Sequence, residues 1–167
     1  MNEQFLNEKN PKVLMKIKDL GEIELQIFED VAPITAKNFL KLVKEGFYSG
    51  IIFHRVIRGF MIQGGDPTGT GCGGSEEEIK GEFKLNGFNN PILHKRGVIS
   101  MARTNDPNSA SSQFFIMHKD APHLDGGYAA FGMVTKGIEV VDKIAESRTD
   151  YSDRPLTDIV IESVVIL

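Results

Sequence analysis

M-K-I-K-D-L-G-E-I-E-L-Q-I, residues 15–27, alternates polar and apolar side chains on either side of a turn at Asp19-Leu20-Gly21. A period of two belongs to strands with one buried face, so the stretch predicts a hairpin. Further strand signals lie around 53–57, 60–64, 98–101, 113–117 and 131–134, and residues 159–167 close the chain as a strand. Two segments change rhythm. After Pro33, which suits a first helical turn, Ala36, Phe39, Leu40 and Val43 recur at helical spacing, and Gly46 offers a stop, giving a helix over 33–45. Residues 137–146 place Val141, Ile144 and Ala145 on one stripe and predict a second. Many short strands with two distant helices predict a mainly β fold: a closed antiparallel barrel capped by two α-helices. With no repeat, low-complexity tract or linker, residues 13–167 form a single domain, and residues 1–12 are expected as a loose tail.

Composition narrows the function. At 167 residues with 41% apolar side chains the chain can bury a substantial core, and its formal charge of −4 supplies no basic field for nucleic acid or anionic lipid. Nucleic-acid and membrane partners are therefore not expected, and no apolar run approaches the roughly 18 residues of a membrane span. Cys72 is the sole cysteine, which rules out an internal disulfide, and Met1-Asn2-Glu3-Gln4 does not resemble a secretory signal. A monomer in a reducing, cytoplasmic setting is the expectation.

Side-chain parity locates a site. On Gln113-Phe114-Phe115-Ile116, residues 114 and 116 share the face that feeds the core, leaving Gln113 and Phe115 on the other. Met61-Ile62-Gln63 repeats the pattern with Ile62 alone inward, and Arg55 lies near enough in sequence to join Met61 and Gln63. The result is an apolar groove containing one arginine and two glutamines. A guanidinium offers five donors and stays charged at physiological pH, while Phe60, Met61 and Phe115 beside it exchange no protons. Such a mixture suits peptide groups, and its chemistry has to proceed without acid, base or nucleophile.

Competing motifs are weak. G-T-G-C-G-G at 69–74 fits G-x-G-x-x-G, but Glu76, Glu77 and Glu78 follow it and would repel phosphate, so it is expected as a flexible turn bordering the groove. His118, Asp120, His123 and Asp125 lie close together without metal-ligand spacing, and Pro122 breaks any helix there. No G-x-S-x-G elbow occurs. His54 is expected as a hydrogen-bonding structural residue. No cofactor is expected.

Phe53 to Asp66 (F-H-R-V-I-R-G-F-M-I-Q-G-G-D), Ser100-Met101-Ala102, Ser112 to Ile116, and Leu124-Asp125-Gly126 followed by Phe131-Gly132 resemble the signature blocks of the cyclophilins, peptidyl-prolyl cis-trans isomerases. The resemblance runs from about Val13 to Leu167, with the blocks in order and spacing. It implies eight strands in the barrel and a proline groove on the outer surface. It implies that Arg55 is the catalytic arginine, that Phe60, Met61, Phe115 and Leu124 hold the proline ring, and that Gln63 and Gln113 position the peptide and the arginine. Ala102, Arg103 and Thr104 match the segment along which the residue before proline lies, with Arg103 where the best-known members have Asn. His123 stands where many members carry the tryptophan that contacts cyclosporin, and Tyr128 where many carry histidine; both resemble the bacterial-type branch and imply weak cyclosporin binding. The implied partners are proline-containing unfolded or flexible polypeptides, and the implied role is to assist folding. A non-catalytic module that binds proline segments is the alternative, and Arg55 discriminates: a binder needs only the pocket.

Overall fold

The computed structural model describes residues 2–167. The hairpin read from residues 15–27 is present as β1 (Lys12–Ile17) and β2 (Gly21–Ile27), antiparallel with Met15 opposite Ile23. The first helix, α1 (Pro33–Lys44), starts on Pro33 and buries Ala36, Phe39, Leu40 and Val43. Its Ala32 N-cap provides no side-chain bond; instead the fully buried Glu82 accepts from the Thr35 backbone N–H and hydroxyl, both at 2.6 Å. Its C-terminus closes as expected of a glycine in left-handed backbone: Gly46 (φ 70) donates to Val43 O and Phe47 to Leu42 O. Short strands follow as β3 (Arg55–Ile57), β4 (Met61–Gly64), β5 (Val98–Met101), β6 (Phe114–Met117) and β7 (Ala130–Lys136). Then come α2 (Ile138–Ala145) and β8 (Ile161–Ile166).

All ladders are antiparallel, in the order β3-β4-β6-β5-β7-β2-β1-β8. The expected closure of the barrel is not found: no ladder joins β3 to β8, and the sheet is an open half-barrel. Its edges meet where residues 50–53, just before β3, approach residues 159–161 at the start of β8, through one bridge, Ile52 with Val160, and backbone bonds from Gly50 to Ile161, Ile161 to Ile51 and Phe53 to Ile159. β3 is three residues long, too short to carry a second ladder across that gap.

The sheet separates two apolar clusters. Inside, Phe39, Tyr48, Phe53, Phe114 and Phe131 meet mostly edge-on or tilted, with ring centroids 5.1–6.0 Å apart. Outside, Met61, Phe115, Met117 and Leu124 pack with Phe28, Ile92, Val98 and Ala130. Of the tail expected over residues 1–12, residue 1 lies outside the described residues, and the segment from Asn2 is docked, not loose. Asn2 is 3% exposed, its side chain bonds both backbone groups of Leu93, and Phe5 packs on Phe28 at 5.8 Å.

Candidate active site

Strand register brings the site together. Arg55 is opposite Gln63, Gln63 opposite Phe115 and Phe115 opposite Ser100, so these four form one row across β3, β4, β6 and β5. Directly opposed residues share a face, and this is the outer one, since Val56, Ile62, Phe114 and Ile116 point into the interior cluster. Arg55, Gln63 and Phe115 of this row lie in a recess of about 130 Å³ that is also lined by Phe60, Met61, Ala102, Arg103, Leu124 and Tyr128. Gln113 and Thr104 line the adjoining wider groove with the glycines at 71, 73 and 74. His123 lines neither; it stacks on Phe60 at the rim, with ring centroids 5.7 Å apart.

The polar groups form a relay. Arg55 Nη1 donates to Gln63 Oε1 at 3.3 Å, Gln63 Nε2 donates to Gln113 Oε1 at 2.9 Å, and Gln113 Nε2 donates to Gly71 O and Gly73 O at 3.0 and 2.8 Å. The relay ends on a loop that is pinned, contrary to the flexible turn expected there. The buried Asp66 carboxylate accepts from the backbone N–H groups of Thr68, Thr70, Gly71 and Gly73. Burial pushes the Asp66 carboxyl up, but the Thr68 hydroxyl and the N–H groups of Gly73, Thr68 and Gly71 outweigh it and hold the group well below the usual carboxylate range. A Cβ on Gly73 would fall on that carboxylate, so the loop can close around Asp66 only with glycine there.

Beneath the recess lies a second polar frame that the sequence did not reveal. His94, 1% exposed, bonds Asp125 Oδ1 through Nδ1 at 3.0 Å and Ser100 Oγ through Nε2 at 2.9 Å, while its ring stacks under Phe115 at 6.0 Å. Burial pushes the imidazole below its ordinary value, opposed by the bond and charge of Asp125. Asp125 also accepts from the His94 backbone N–H at 2.6 Å, fixing both ends of the residue. The floor of the recess is therefore an aromatic ring held from below.

The wall bearing Phe60 is fixed similarly. His118 Nδ1 accepts from Gly59 N–H at 2.9 Å, its own backbone N–H donates to Phe60 O, and Asp142 of α2 lies 3.2 Å from its Nε2. Asp142 in turn receives both terminal nitrogens of Arg96, at 2.6 and 2.8 Å. So the clustered acids and histidines of 118–125 diverge: His118 to Asp142, Asp120 to Lys95, His123 to Phe60 and Asp125 to His94. Among the described residues no group of three His, Cys, Asp or Glu side chains is placed to hold a metal. His54 departs from expectation. It is 7% exposed, yet neither ring nitrogen finds a hydrogen-bond partner among the described residues, and burial lowers its pKa.

Residues 12–166 match the family described as "Cyclophilin type peptidyl-prolyl cis-trans isomerase/CLD". This chain belongs to the cyclophilins. It is 45% identical over 155 residues to the peptidyl-prolyl cis-trans isomerase CYP18-1 of Arabidopsis thaliana, covering 89% of this chain and 91% of the relative. It is 45% identical over 149 residues to the peptidyl-prolyl cis-trans isomerase ppi1 of Schizosaccharomyces pombe, covering 89% and 94%. A crystal structure of a cyclophilin type isomerase of Cryptosporidium parvum, obtained in the presence of the dipeptide Ala-Pro, is 35% identical and superposes with a TM-score of 0.86 over 93% of this chain and 98% of that one. This cyclophilin is a peptidyl-prolyl cis-trans isomerase, and the fold agrees: eight antiparallel strands, two helices and the recess on the outer face.

Proposed function

We propose that this cyclophilin isomerises X-Pro bonds with the proline ring in the recess and the Arg55 guanidinium at the proline nitrogen. The observation that carries the reading is the convergence of Arg55, held by Gln63, with the apolar walls of Phe60, Met61, Phe115 and Leu124 around one cavity of ring-like size. Rotation about a peptide bond faces about 18–20 kcal/mol because the C–N bond has double-bond character, and the X-Pro bond exchanges in tens to hundreds of seconds. In the twisted transition state the proline nitrogen pyramidalises and regains its lone pair. A donor can bond it there and not in the planar ground state, which is differential binding.

The chain's residues divide the work. The recess clamps the ring, while Gln113 and Gln63 aim the guanidinium through the relay that ends on the Asp66-pinned loop. Ala102, Arg103 and Thr104 offer the segment along which the residue before proline lies, Tyr128 lines the recess and His123 stands at its rim. No titrating group is required, since guanidinium keeps its protons throughout the physiological range. Acceleration by about 10⁵ needs about 7 kcal/mol, and a charge-assisted hydrogen bond in a partly dry groove is stronger than one at the surface.

Clients are unfolded or flexible polypeptides with accessible proline, bound by a monomer in the cytoplasm. The substitutions at His123 and Tyr128 support placement with the bacterial-type branch and weak affinity for cyclosporin. A protease-coupled assay on a short X-Pro peptide tests the site. Turnover by the unmodified chain and its loss in Arg55→Ala is the expected result, whereas full turnover without the guanidinium refutes the assignment.

A further inference from the structure

Two guanidiniums face the recess, and neither meets a carboxylate. Arg96 and Arg154 each lie within 4 Å of an aspartate, Asp142 and Asp158. Among the described residues Arg55 and Arg103 have no such partner, and the rest of the recess lining is apolar, aromatic or amide. In a chain of formal charge −4 this is a local inversion of sign.

Arg103 is also immobilised. Its guanidinium lies between the rings of Phe83 and Tyr128, 4.8 and 4.7 Å from their centroids. Nε and Nη2 donate to Gly127 O at 3.1 and 2.7 Å, and Nη1 donates to Thr104 O at 2.8 Å. A guanidinium has five N–H donors, so each terminal nitrogen keeps one to offer. Because the side chain is fixed beforehand, a ligand that uses those donors loses little entropy in ordering it. Arg103 lines both the recess and the wider groove, at the junction between them, whereas the groove's one carboxylate, Glu78, does not reach the recess. A polypeptide with its proline in the recess and the preceding residue along 102–104 therefore passes over Arg103.

We infer that this isomerase favours X-Pro bonds in which X carries a carboxylate, with Arg103 as the specificity-determining residue. The inference rests on the proposed seating of the proline ring in the recess. Peptides identical except for Glu, Gln or Lys before proline test it, through the ratios of kcat/KM. The unmodified chain should prefer Glu over Gln by about fivefold, the upper end for a partly exposed ion pair, and should turn over Lys-Pro more slowly than Gln-Pro. The Glu preference should shrink towards one in 1 M salt, where screening acts within about 3 Å. Arg103→Gln should abolish the ratio and Arg103→Lys should keep part of it. A Glu-to-Gln ratio of one in the unmodified chain overturns the inference. So does a ratio that survives Arg103→Gln, even if every rate falls together, because Arg103 is then only a strut between loops. If Arg103→Gln does not fold, the salt series and Arg103→Lys decide. Failure of the underlying site reading looks different: no peptide is turned over, or turnover persists in Arg55→Ala.

Discussion

Phe114 and Phe115 are neighbours in sequence, identical in chemistry and almost equally buried, at 0% and 5% exposure, yet they serve regions with different demands. Phe114 joins Phe39, Tyr48 and Phe53 in the interior, where its ring is packed against three other aromatic rings. Phe115 lies on the outer cluster, where its ring is wedged between the His94 imidazole and Tyr128 and its free side floors the recess. The interior determines whether the chain folds. The outer cluster determines the shape of the cavity, and it does so with buried hydrogen bonds as well as packing.

The largest expected effect breaks the interior alone. Phe114→Ala should cost about 3–5 kcal/mol, the range for deleting a buried ring, read from the denaturant midpoint, while the molecules that remain folded keep most of their kcat/KM. Phe115→Ala should show the opposite balance, losing more turnover than stability. Equal losses in both variants would erase the distinction between the two faces.

Next comes the chemistry itself. Arg55→Ala should lower kcat/KM by about 10²–10³, comparable with removing a preorganised transition-state donor, while affinity for a proline peptide falls much less. Because Arg55 is exposed and outside both clusters, its thermal midpoint should hold. Matching losses in binding and rate would return the guanidinium to a simple contact role.

Parity on β6 and β4 was enough to separate the two faces, because an alternating strand carries its orientation in neighbouring residues. Both helices and most strands were legible within a few residues for the same reason. What escaped was held by partners far apart in sequence. The His94–Asp125 bond spans 31 residues, the Glu82 cap on Thr35 spans 47, and the anchoring of Asn2 to Leu93 spans 91. No local pattern encodes such contacts. Asp66 was closer to being readable, since an aspartate followed by Pro, Thr and Gly favours bonding its own downstream backbone. Edge pairing was overestimated because strand signals give no measure of strand length, and β3 falls short of a closing ladder.

Protons should sharpen the contrast between folding and turnover. His54, His94 and His118 are all pushed below the ordinary histidine value, chiefly by burial. The unfolded chain therefore binds protons near pH 6.5 that the folded chain refuses. The stability these neutral rings contribute is complete above pH 6.5 and declines as pH falls below it, by up to about 1.4 kcal/mol per pH unit per histidine. Chemical unfolding across pH 5–8 reads the slope, and His94→Asn should flatten part of it. Between about pH 6 and 9 kcat/KM should stay level, because guanidinium does not titrate there. A bell-shaped activity profile centred near the histidine pKa would implicate an acid or base the site reading omits.

The smallest effect concerns the rim. An indole presents more apolar surface than imidazole and one N–H donor, so His123→Trp should tighten cyclosporin binding by about tenfold, near 1.4 kcal/mol. Turnover of a short peptide should change less, as His123 lies outside the recess lining. Calorimetric titration of the drug into both forms measures the difference; tight binding by the unmodified chain would remove His123 from the account.

β1 pairs along its length with both β2 and β8, Val13 facing Leu25 on one side and Ile166 on the other. The first strand thus waits for the last. A nascent chain cannot complete this sheet until residues 161–166 have left the ribosome, and until then Met15 and its neighbours lack one flank. Such pairing between strands far apart in sequence slows folding and prolongs exposure of strand edges. During its own synthesis this isomerase of X-Pro bonds spends a period as an unfinished sheet.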